Sequence, residues 1–530
     1  SSWDHRVFYL FGESCGVGYH QGVNLPEYVL GAMPLTEISA DTLFATVVGV
    51  TDRLAKGDIA VHSTLSTFGV HCNGMVSMET AMMIKEYIIE RYGPVQAVIG
   101  TNGSGAALQQ YNAANNAPGL LDAALPTASF ADVVTTAMTV SDCGLLMHYY
   151  KNSDLDWSDQ KRAAVNGHNL QSSTRVNAIC AGWTQAFLSR IDPQRGCAGV
   201  IPDENRYDPE KNPKGVRCTV QDASVNIWGR DPATGFARRP LDNVGIQYGL
   251  GALNDATISL GEFLDLNRKI GGFDIDGNYV PRRHEMDAQS EATAYRIGAV
   301  IGRGALAETP VIDLGVYLDL IPIANIHESV RPFIIRARLR RQTHQDASQS
   351  IWRRVATQPD VYGIMDEWLS GIDPGSSGAA GRIQAVAAAK TSAAGDRCVV
   401  ATAGGRLELP DVLMGPLGLA QFPLLPGAPA PDLDVPLRID VPEDFDSGIG
   451  PCSILLPPVR TPRMVAGMPM TDDVIKCQLK AIDPGDYDPK PTEAQLAELR
   501  SIFPEGVCDY NKPAAHDVSK SLIWPSIGGE

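Results

Sequence analysis

The residue best suited to chemistry in this sequence is Ser104, which lies in a short run of very small residues. Gly103 and Gly105 flank it directly, and Asn102 and Ala106 stand two positions away on either side. A nucleophilic serine on a sharp strand-to-helix turn has a strained backbone that only small neighbours allow. The usual Gly-x-Ser-x-Gly pattern has glycines where this chain has Asn102 and Ala106, but both are small. The run predicts a nucleophilic serine. The alternative is a glycine-rich turn in which the serine has no catalytic role.

The segments on both sides of Ser104 have the patterns of a buried strand and a helix. Residues 95–99 are apolar except for Gln96 and are rich in β-branched side chains, whereas residues 105–111 are rich in alanine, leucine and glutamine. Upstream, residues 75–92 present a broad apolar helical face that ends at Gly-Pro. Downstream, residues 123–126 predict the next strand. This is the order of elements around the nucleophile of an α/β-hydrolase, so we expect a parallel sheet with Ser104 at its carboxyl edge.

A catalytic serine needs two partners from elsewhere in the chain: a base, nearly always histidine, and a carboxylate that orients it. In the α/β-hydrolase fold their order along the chain is serine, acid, histidine. The acid is expected in a loop after a later strand. Residues 309–319 supply a proline, a hydrophobic run and a final aspartate. Asp319 is therefore the predicted acid, and Asp313, within the predicted strand, is the alternative.

The base must be one of the histidines that follow the serine. His327 lies at the start of a helix predicted over residues 328–341, within reach of the loop that carries the acid. In this fold the base is expected after the last strand, predicted here over residues 348–355, but only His516 follows it. His327 is the predicted base. His344, directly before that strand, is the alternative.

Two backbone N–H groups are expected to form an oxyanion hole for the charge that develops on the substrate. One should belong to Gly105, the residue after the nucleophile. The other should come from the glycine-rich loop over residues 12–18, which follows the first visible strand. Within that loop the amides of Glu13 and Ser14 are the candidates, and the sequence does not choose between them.

Several longer segments carry a resemblance to a known family. They are YLFGESCGVGYHQG (9–22), STLSTFGVHCN (63–73), ANNAPGLLD (114–122), DLGVYLD (313–319) with NIHE (325–328), and IFPEGVCDYNKP (502–513). The chain resembles a family of large exported α/β-hydrolases of unassigned function. That family is similar in outline to tannases, feruloyl esterases and 3-hydroxybutyrate oligomer hydrolases. The resemblance implies the fold and the reaction class but not the substrate. The family's serine turn usually has the form Gly-x-Ser-Gly-Gly, from which Asn102, Gly103 and Ala106 depart here.

Composition limits the partners that this chain can have. The formal net charge of −17 over 530 residues argues against nucleic acids and anionic membranes, because both attract basic surfaces. No apolar run approaches the roughly 18 residues that span a bilayer. The sequence implies no cofactor and no metal. The expected partner is a small-molecule or oligomeric ester.

The chain contains ten cysteines without the close CxxC spacing of a zinc site. In a chain of this size they predict disulfides and therefore a secreted or periplasmic protein. A cytosolic protein with buried thiols is the alternative. The proposed pairings are Cys15 with Cys72, Cys197 with Cys218, and Cys477 with Cys508.

The length predicts a catalytic core with large insertions. The first part of the α/β-hydrolase core is expected over residues 1–150 and the second over 301–375. Residues 151–300 are interpreted as an inserted cap or lid, and residues 376–530 as a C-terminal extension that wraps and packs on the core. Within the insertion, residues 273–280 contain an Asp-x-Asp-Gly-Asn run, which a β-hairpin turn explains better than a calcium loop.

The start of the chain is unusual for this fold, because residues 5–12 already have the pattern of a core strand. The fold places one or two strands before it, so an upstream segment is expected to have been removed or to lie in a companion chain. A serine at position 1 also permits a rival mechanism, in which the free amine of Ser1 activates its own hydroxyl.

Together these features predict an exported serine hydrolase that cleaves carboxylic esters through an acyl-enzyme. The families that the chain resembles suggest aromatic acyl esters or short hydroxyalkanoate oligomers as substrates, with polymer-derived ester fragments as a further candidate. An amidase or peptidase with the same serine is one alternative. A catalytically inactive, hydrolase-like binding protein is the other.

Overall fold

The structure is a computed structural model. It describes residues 3–19, 51–168, 178–197, 201–316, 319, 326–354, 360–399 and 458–524, and the short pairs 402–403, 406–407, 422–423 and 435–436. Ser1, Asn325 and the proline-rich stretch 424–434 lie outside these ranges.

A mostly parallel sheet of eight strands organises the described part of the chain. The strands are β1 (Arg6–Gly12), β2 (Ile59–Thr67), β3 (Ala97–Gly103), β4 (Ala123–Thr127), β5 (Val311–Val316), β6 (Gln349–Arg354), β7 (Arg397–Val399) and β8 (Val435–Pro436). Their order across the sheet is β8-β7-β6-β5-β4-β3-β1-β2. Only β8 pairs antiparallel, against β7. The predicted α/β class is confirmed.

Helices connect and surround these strands. In the first half of the chain they are α1 (Thr51–Lys56), α2 (Phe68–His71), α3 (Gly74–Tyr92), α4 (Gly105–Asn116), α5 (Val133–Asn152), α6 (Asp159–Asn166), α7 (Ala178–Phe187), α8 (Val220–Ala223) and α9 (Val225–Trp228). The helices that follow are α10 (Leu250–Asn254), α11 (Leu260–Lys269), α12 (Ala288–Arg296), α13 (Arg331–Thr343), α14 (Val361–Ser370), α15 (Gly378–Ala389), α16 (Pro462–Val465) and α17 (Glu493–Ile502).

The alternation of side chains along β1 shows why the sheet is covered on both faces. Phe8 and Leu10 point into one apolar cluster, which contains Met365 of α14 and Val386 of α15. The intervening residues of the strand, such as Tyr9, point into a second cluster with residues of α3 and α4. A strand that is buried on both faces has a continuous hydrophobic run, as β1 does.

The long stretch between β4 and β5 holds helices α5 to α12 and a small hairpin, Gly272–Phe273 with Tyr279–Val280. Its apolar side chains form a large cluster that also includes residues of α17 and of the strand pair Leu479–Lys480 and Val507–Cys508. The C-terminal part of the chain therefore packs against this stretch. In the hairpin, a carboxylate oxygen of Asp274 accepts the Asp276 and Asn278 amides at 2.9 Å. The Asp-Gly-Asn run therefore forms a hairpin turn, as the sequence pattern favoured.

Four disulfides cross-link the described residues. Three are the pairs proposed from the sequence, Cys15–Cys72, Cys197–Cys218 and Cys477–Cys508. The fourth, Cys143–Cys180, joins α5 to α7. Four disulfides are consistent with a protein from an oxidising compartment.

The sheet extends further along the chain than its hydrophobic runs predict. The expectation that residues 348–355 form the last strand is wrong, because β7 follows β6 and pairs parallel to it. The sheet therefore continues past position 375, where the sequence places the start of a C-terminal extension. The strand is only three residues long, which leaves too short a pattern to detect.

Among the helices that the structure describes, none combines the length and apolarity needed to cross a bilayer.

Candidate active site

Ser104 lies at the junction of β3 and α4 with a backbone that few residues adopt. Its φ is 55° and its ψ is −119°, outside the ordinary helical and extended regions. The Ser104 amide donates to Thr127 O at 2.9 Å, which fixes the turn to the end of β4. The strained backbone and the position at the carboxyl edge of a central strand are the geometry expected for the predicted nucleophile turn.

Asn102 occupies a position where the usual pattern has glycine, and its geometry explains why. Its φ is 100°, a left-handed value that favours glycine, and asparagine is one of the few other residues that tolerate positive φ. Asn102 Nδ2 donates to Phe11 O at 3.0 Å, and its side-chain oxygen accepts the Gly103 amide at 3.0 Å. These two bonds tie the turn to β1.

Gly105 cannot carry a side chain, because a Cβ there would lie 1.6 Å from Ser14 O. The loop after β1 therefore packs directly on the first turn of α4. Ser14 itself has a φ of 67°, and the neighbouring Glu13 O accepts the Gly69 amide at 2.9 Å. The Cys15–Cys72 disulfide holds the same loop one residue later. Gly105, Glu13 and Ser14, the predicted oxyanion-hole residues, are thus adjacent in space or in sequence.

Two buried glutamines on α4 hold the surrounding strands in place. Gln109 Nε2 donates to Gly12 O at 2.7 Å, at the end of β1. Gln110 Nε2 donates to Asn102 O at 2.9 Å, and its oxygen accepts the Leu125 amide at 3.1 Å. Sequence reasoning missed both residues. Their only signal is polarity on a helix whose other residues are mostly small or apolar.

His327 lies against the serine, with 3.1 Å between its Nε2 and Ser104 Oγ. The Phe130 ring lies 5.3 Å from the imidazole, centroid to centroid. Burial, with the positive charge of Arg331, lowers the pKa of His327 to about 3. The imidazole is therefore neutral near pH 7 and has a nitrogen lone pair that can accept a proton.

Asp319 is bound to the same short segment as His327. Its carboxylate accepts the Ser329 amide with 3.1 Å to each oxygen, and the Ser329 hydroxyl donates to it as well. Ser329 is two residues after His327. Burial raises the pKa of Asp319 to about 7, while the bonds from Ser329 oppose that rise. The predicted acid is thus bonded to a residue two positions from the predicted base.

Asp313, the alternative acid, is fully buried in β5 and has other partners. It accepts the Tyr111 hydroxyl at 2.5 Å and the Ser129 hydroxyl at 2.6 Å. Burial raises the pKa of this carboxyl to about 7. Because Tyr111 lies on α4, these bonds join α4 to the middle of the sheet.

The two other histidines considered lie elsewhere. His344 follows the last residue of α13 and has a φ of 58°. A helix of 13 residues is about 20 Å long, and His327 lies before its other end. His516 bonds through Nδ1 to Glu291 at 2.8 Å. Of these three histidines, His327 is the one that contacts Ser104.

A buried ion pair supports the segment that carries His327. Glu328 accepts two bonds from Arg331, at 2.9 and 3.0 Å, and one from Trp183 Nε1 at 2.7 Å. Trp183 belongs to α7, so the pair connects the histidine segment to the stretch between β4 and β5. Sequence reasoning missed this group, because the Glu328–Arg331 spacing is common on any helix and Trp183 is 145 residues distant in the chain.

A narrow cavity of about 40 Å³ opens at Ser104. Apart from Ser14, Ser104, Thr136 and Arg190, its lining is apolar: Cys15, Gly105, Leu108, Phe130, Val133, Ala137, Val140, Trp183, Phe187, Ile191, Val220 and Ile326. Trp183, Phe187, Arg190 and Ile191 come from α7 and the turn after it. Across the described ranges, no cluster of three or more histidine, cysteine or acidic side chains could hold a metal ion.

Comparison with known proteins identifies the family. Neither the curated proteins nor the solved structures contain a significant match to the chain. The model of the tannase-like family of unknown function (DUF6351) matches residues 1–519, which confirms the resemblance found in the sequence. Because that match covers nearly all of the 530 residues, the chain belongs to the tannase-like family of unknown function.

Proposed function

We propose that this protein is a serine hydrolase that cleaves carboxylic esters through an acyl-enzyme intermediate. The observation that carries the proposal is the 3.1 Å contact between His327 Nε2 and Ser104 Oγ, on a strained turn at the carboxyl edge of the sheet. A base within hydrogen-bond reach of a serine hydroxyl is the first requirement for nucleophilic activation. Membership of a tannase-like family supports the same reaction class.

In the first half of the proposed reaction, Ser104 Oγ attacks the ester carbonyl carbon while His327 Nε2 takes the hydroxyl proton. The carbonyl oxygen becomes an oxyanion, which accepts bonds from the Gly105 amide and from the amide of Glu13 or Ser14. The C–O bond to the alcohol then breaks, and the imidazolium returns its proton to the leaving alkoxide. The products are a free alcohol and Ser104 acylated on Oγ.

In the second half, water attacks the acyl carbon while His327 again accepts a proton. Collapse of the second oxyanion releases the carboxylic acid and restores the Ser104 hydroxyl. Asp319 is proposed to orient the imidazole and to stabilise its charged form in both halves. Its attachment to Ser329, two residues from His327, supports this assignment over Asp313, whose described bonds go to Tyr111 and Ser129.

The wider architecture is proposed to be an α/β-hydrolase core with an inserted cap. The sheet with β1 to β7 parallel and the order of elements around Ser104 support the fold. Trp183 and Phe187 line the cavity at the serine, which supports a role for the stretch after β4 as a cap. The four disulfides support export to an oxidising compartment.

A fluorophosphonate probe, which labels activated serines, tests the proposal directly. The expected result is one adduct, mapped to the peptide that contains Ser104 and lost in Ser104→Ala. The exposed Ser377 provides the matched control, because Ser377→Ala should label like the wild type. An unlabelled but folded protein would contradict the proposal and favour an inactive, hydrolase-like binding protein. Label on Ser1 would favour the N-terminal mechanism.

Matched esters and amides of one acyl group then separate an esterase from an amidase. An esterase should cleave the ester at least about a hundredfold faster in kcat/KM, because the amine of an amide is a far poorer leaving group. Comparable rates for the two would identify an amidase or peptidase with the same serine.

A further inference from the structure

Among the residues that the structure describes, the cavity at Ser104 offers only three further polar side chains to a substrate, those of Ser14, Thr136 and Arg190, and the last two already bond within the protein. The Thr136 hydroxyl donates to Asp132 O at 2.6 Å. Arg190 Nε donates to Cys15 O at 2.8 Å, and its guanidinium lies over the Phe187 ring at 5.6 Å from the centroid. A substrate hydroxyl that lies beyond reach of Ser14 would therefore leave water without gaining an equivalent bond from these described side chains.

A second cavity of about 60 Å³ adjoins the first, and the side chains that line both are called the wall. Three side chains line both cavities: Leu108, Val133 and Val220. They consequently stand between the chamber at Ser104 and the second chamber. The far lining includes the apolar residues Phe68, Ile227, Trp228 and Ile297, with polar groups at Asn73, Asn112, Asp132 and Ser224. The space beyond the wall is therefore mostly, but not wholly, apolar.

Each residue of the wall belongs to an element that is held in place. Leu108 is on α4, the helix that begins after the serine. Val133 is the first residue of α5, where Asp132 caps the helix by accepting the Thr135 amide at 2.8 Å. Val220 is the first residue of α8, where Thr219 Oγ1 accepts the Asp222 amide at 3.0 Å. The Cys197–Cys218 disulfide lies two residues before Val220. The wall is thus well positioned to limit the depth of the first chamber.

We propose that the chamber at Ser104 binds a short, unsubstituted aliphatic acyl group, and that Leu108, Val133 and Val220 set the length of acyl chain that the enzyme accepts. This proposal rests on the proposed function, because it takes Ser104 as the nucleophile. It narrows the substrate class to apolar acyl groups, in preference to hydroxylated aromatic acids and hydroxyalkanoates. Recognition of a substrate hydroxyl would need a bonding partner, and among the described lining residues Ser14 is the one candidate besides the nucleophile whose side chain has no bond within the protein.

The test is a set of p-nitrophenyl esters from acetate to decanoate, together with the 3-hydroxybutyrate ester and methyl gallate. The wild type should prefer one of the shorter aliphatic chains and cleave the butyrate ester at least about tenfold better than its 3-hydroxy analogue in kcat/KM. Methyl gallate should be a poor substrate. A preference for the hydroxylated acyl groups would overturn the proposal.

Substitutions at Val220 test the wall in both directions. Val220→Ala should move the preferred chain length up by at least two carbons, and Val220→Trp should move it down, each changing the ratio of longer to shorter esters at least about tenfold. Asn226 is exposed nearby on α9, so Asn226→Ala and Asn226→Trp are the matched controls and should keep the wild-type profile.

The outcomes separate the two levels of the proposal. If every ester is inert and the fluorophosphonate probe does not react, the proposed function fails. If esters are cleaved but the Val220 variants keep the wild-type profile, only the acyl-chamber proposal fails. If a Val220 variant cleaves every ester more slowly by the same factor, it has lost folded protein. Leu108→Ala, which is expected to lengthen the preferred acyl chain, then tests the role of the wall.

Discussion

The two halves of the candidate site are held in different ways. The serine half is fixed mainly to the backbone: Ser104 donates to Thr127 O, Asn102 bonds to Phe11 O, and Gly105 touches Ser14 O. The histidine half depends on side-chain pairs, in which Asp319 binds Ser329, and Glu328 binds Arg331 and Trp183. The serine is thus part of the sheet, whereas the histidine depends on groups that single substitutions can remove.

The sharpest test of the histidine half is His327→Ala. Loss of the base should lower kcat about 10⁴- to 10⁶-fold, because Ser104 then has no acceptor for its proton. His344→Ala, at the far end of α13, should stay within about threefold of the wild type. Equal losses in the two variants, or a loss confined to His344→Ala, would reverse the assignment.

The acid is tested by the pair Asp319→Asn and Asp313→Asn. Asp319→Asn should lower kcat about 10⁴-fold with the fold intact, because an amide cannot stabilise the imidazolium. Asp313→Asn should lower the melting temperature, since it disturbs the bonds from Tyr111 and Ser129, while kcat remains within about tenfold. Steady-state kinetics with thermal unfolding distinguishes the two, and the opposite pattern would make Asp313 the acid.

The serine half should respond to backbone changes. In Gly105→Ala the new methyl group would meet Ser14 O, so the loop must move and the proposed oxyanion hole must open. We expect kcat to fall about 10²- to 10³-fold. Gly261→Ala, on α11, is a suitable control, because the nearest atom to its new methyl group would be 3.9 Å distant. Similar kinetics in the two variants would mean that the loop contact is unimportant.

Glu328→Gln tests whether the buried ion pair supports the histidine. Removing the Glu328 charge leaves Arg331 with Asp472, 4.0 Å away, as a remaining buried counter-ion, which should lower the free energy of unfolding by about 3 kcal/mol. The rate should fall about tenfold, because the segment with His327 loses its charged bonds to Arg331, although a glutamine oxygen can still accept from Trp183 Nε1. Chemical denaturation and kcat measure the two effects separately. An unchanged kcat beside a lowered stability would show that the pair is structural alone.

The mildest test changes no residue and varies only the pH. Burial raises the pKa of Asp319 to about 7 and lowers that of His327 to about 3. An ionised carboxylate is needed to stabilise the imidazolium, so kcat/KM should fall about tenfold per pH unit below about 7 and be level above it. Asp319→Asn should remove this limb. A limb that persists in that variant would have to come from another group.

Sequence patterns predicted the strand and helices around Ser104 well because their determinants are local. The small residues around Ser104, the helix before it and the buried strand all lie within about 30 residues of one another. The structure has those elements almost where expected, with β3 over Ala97–Gly103 and α3 over Gly74–Tyr92. Residues 328–341 were predicted as a helix, which the structure begins only at Arg331.

What the sequence did not reveal are the contacts between distant segments. Trp183 and Glu328 meet across 145 positions, and Cys143–Cys180 joins two helices whose proximity no local pattern indicates. The chain order of the fold left two candidates for the acid and two for the base. Choosing between the members of each pair requires distances in three dimensions, which the sequence does not contain. Strand β7 was not predicted, because its three residues are too few to show a strand pattern.

The Cys15–Cys72 disulfide makes the proposed activity depend on whether the protein has been oxidised. Its first sulfur belongs to the residue after Ser14, whose carbonyl lies against the first turn of the serine helix. A chain that folds in a reducing environment would lack this bond and leave the loop without its covalent anchor. We therefore expect competence for ester cleavage to be acquired during oxidative maturation. Turnover in a recombinant preparation would then report how much of the material has matured.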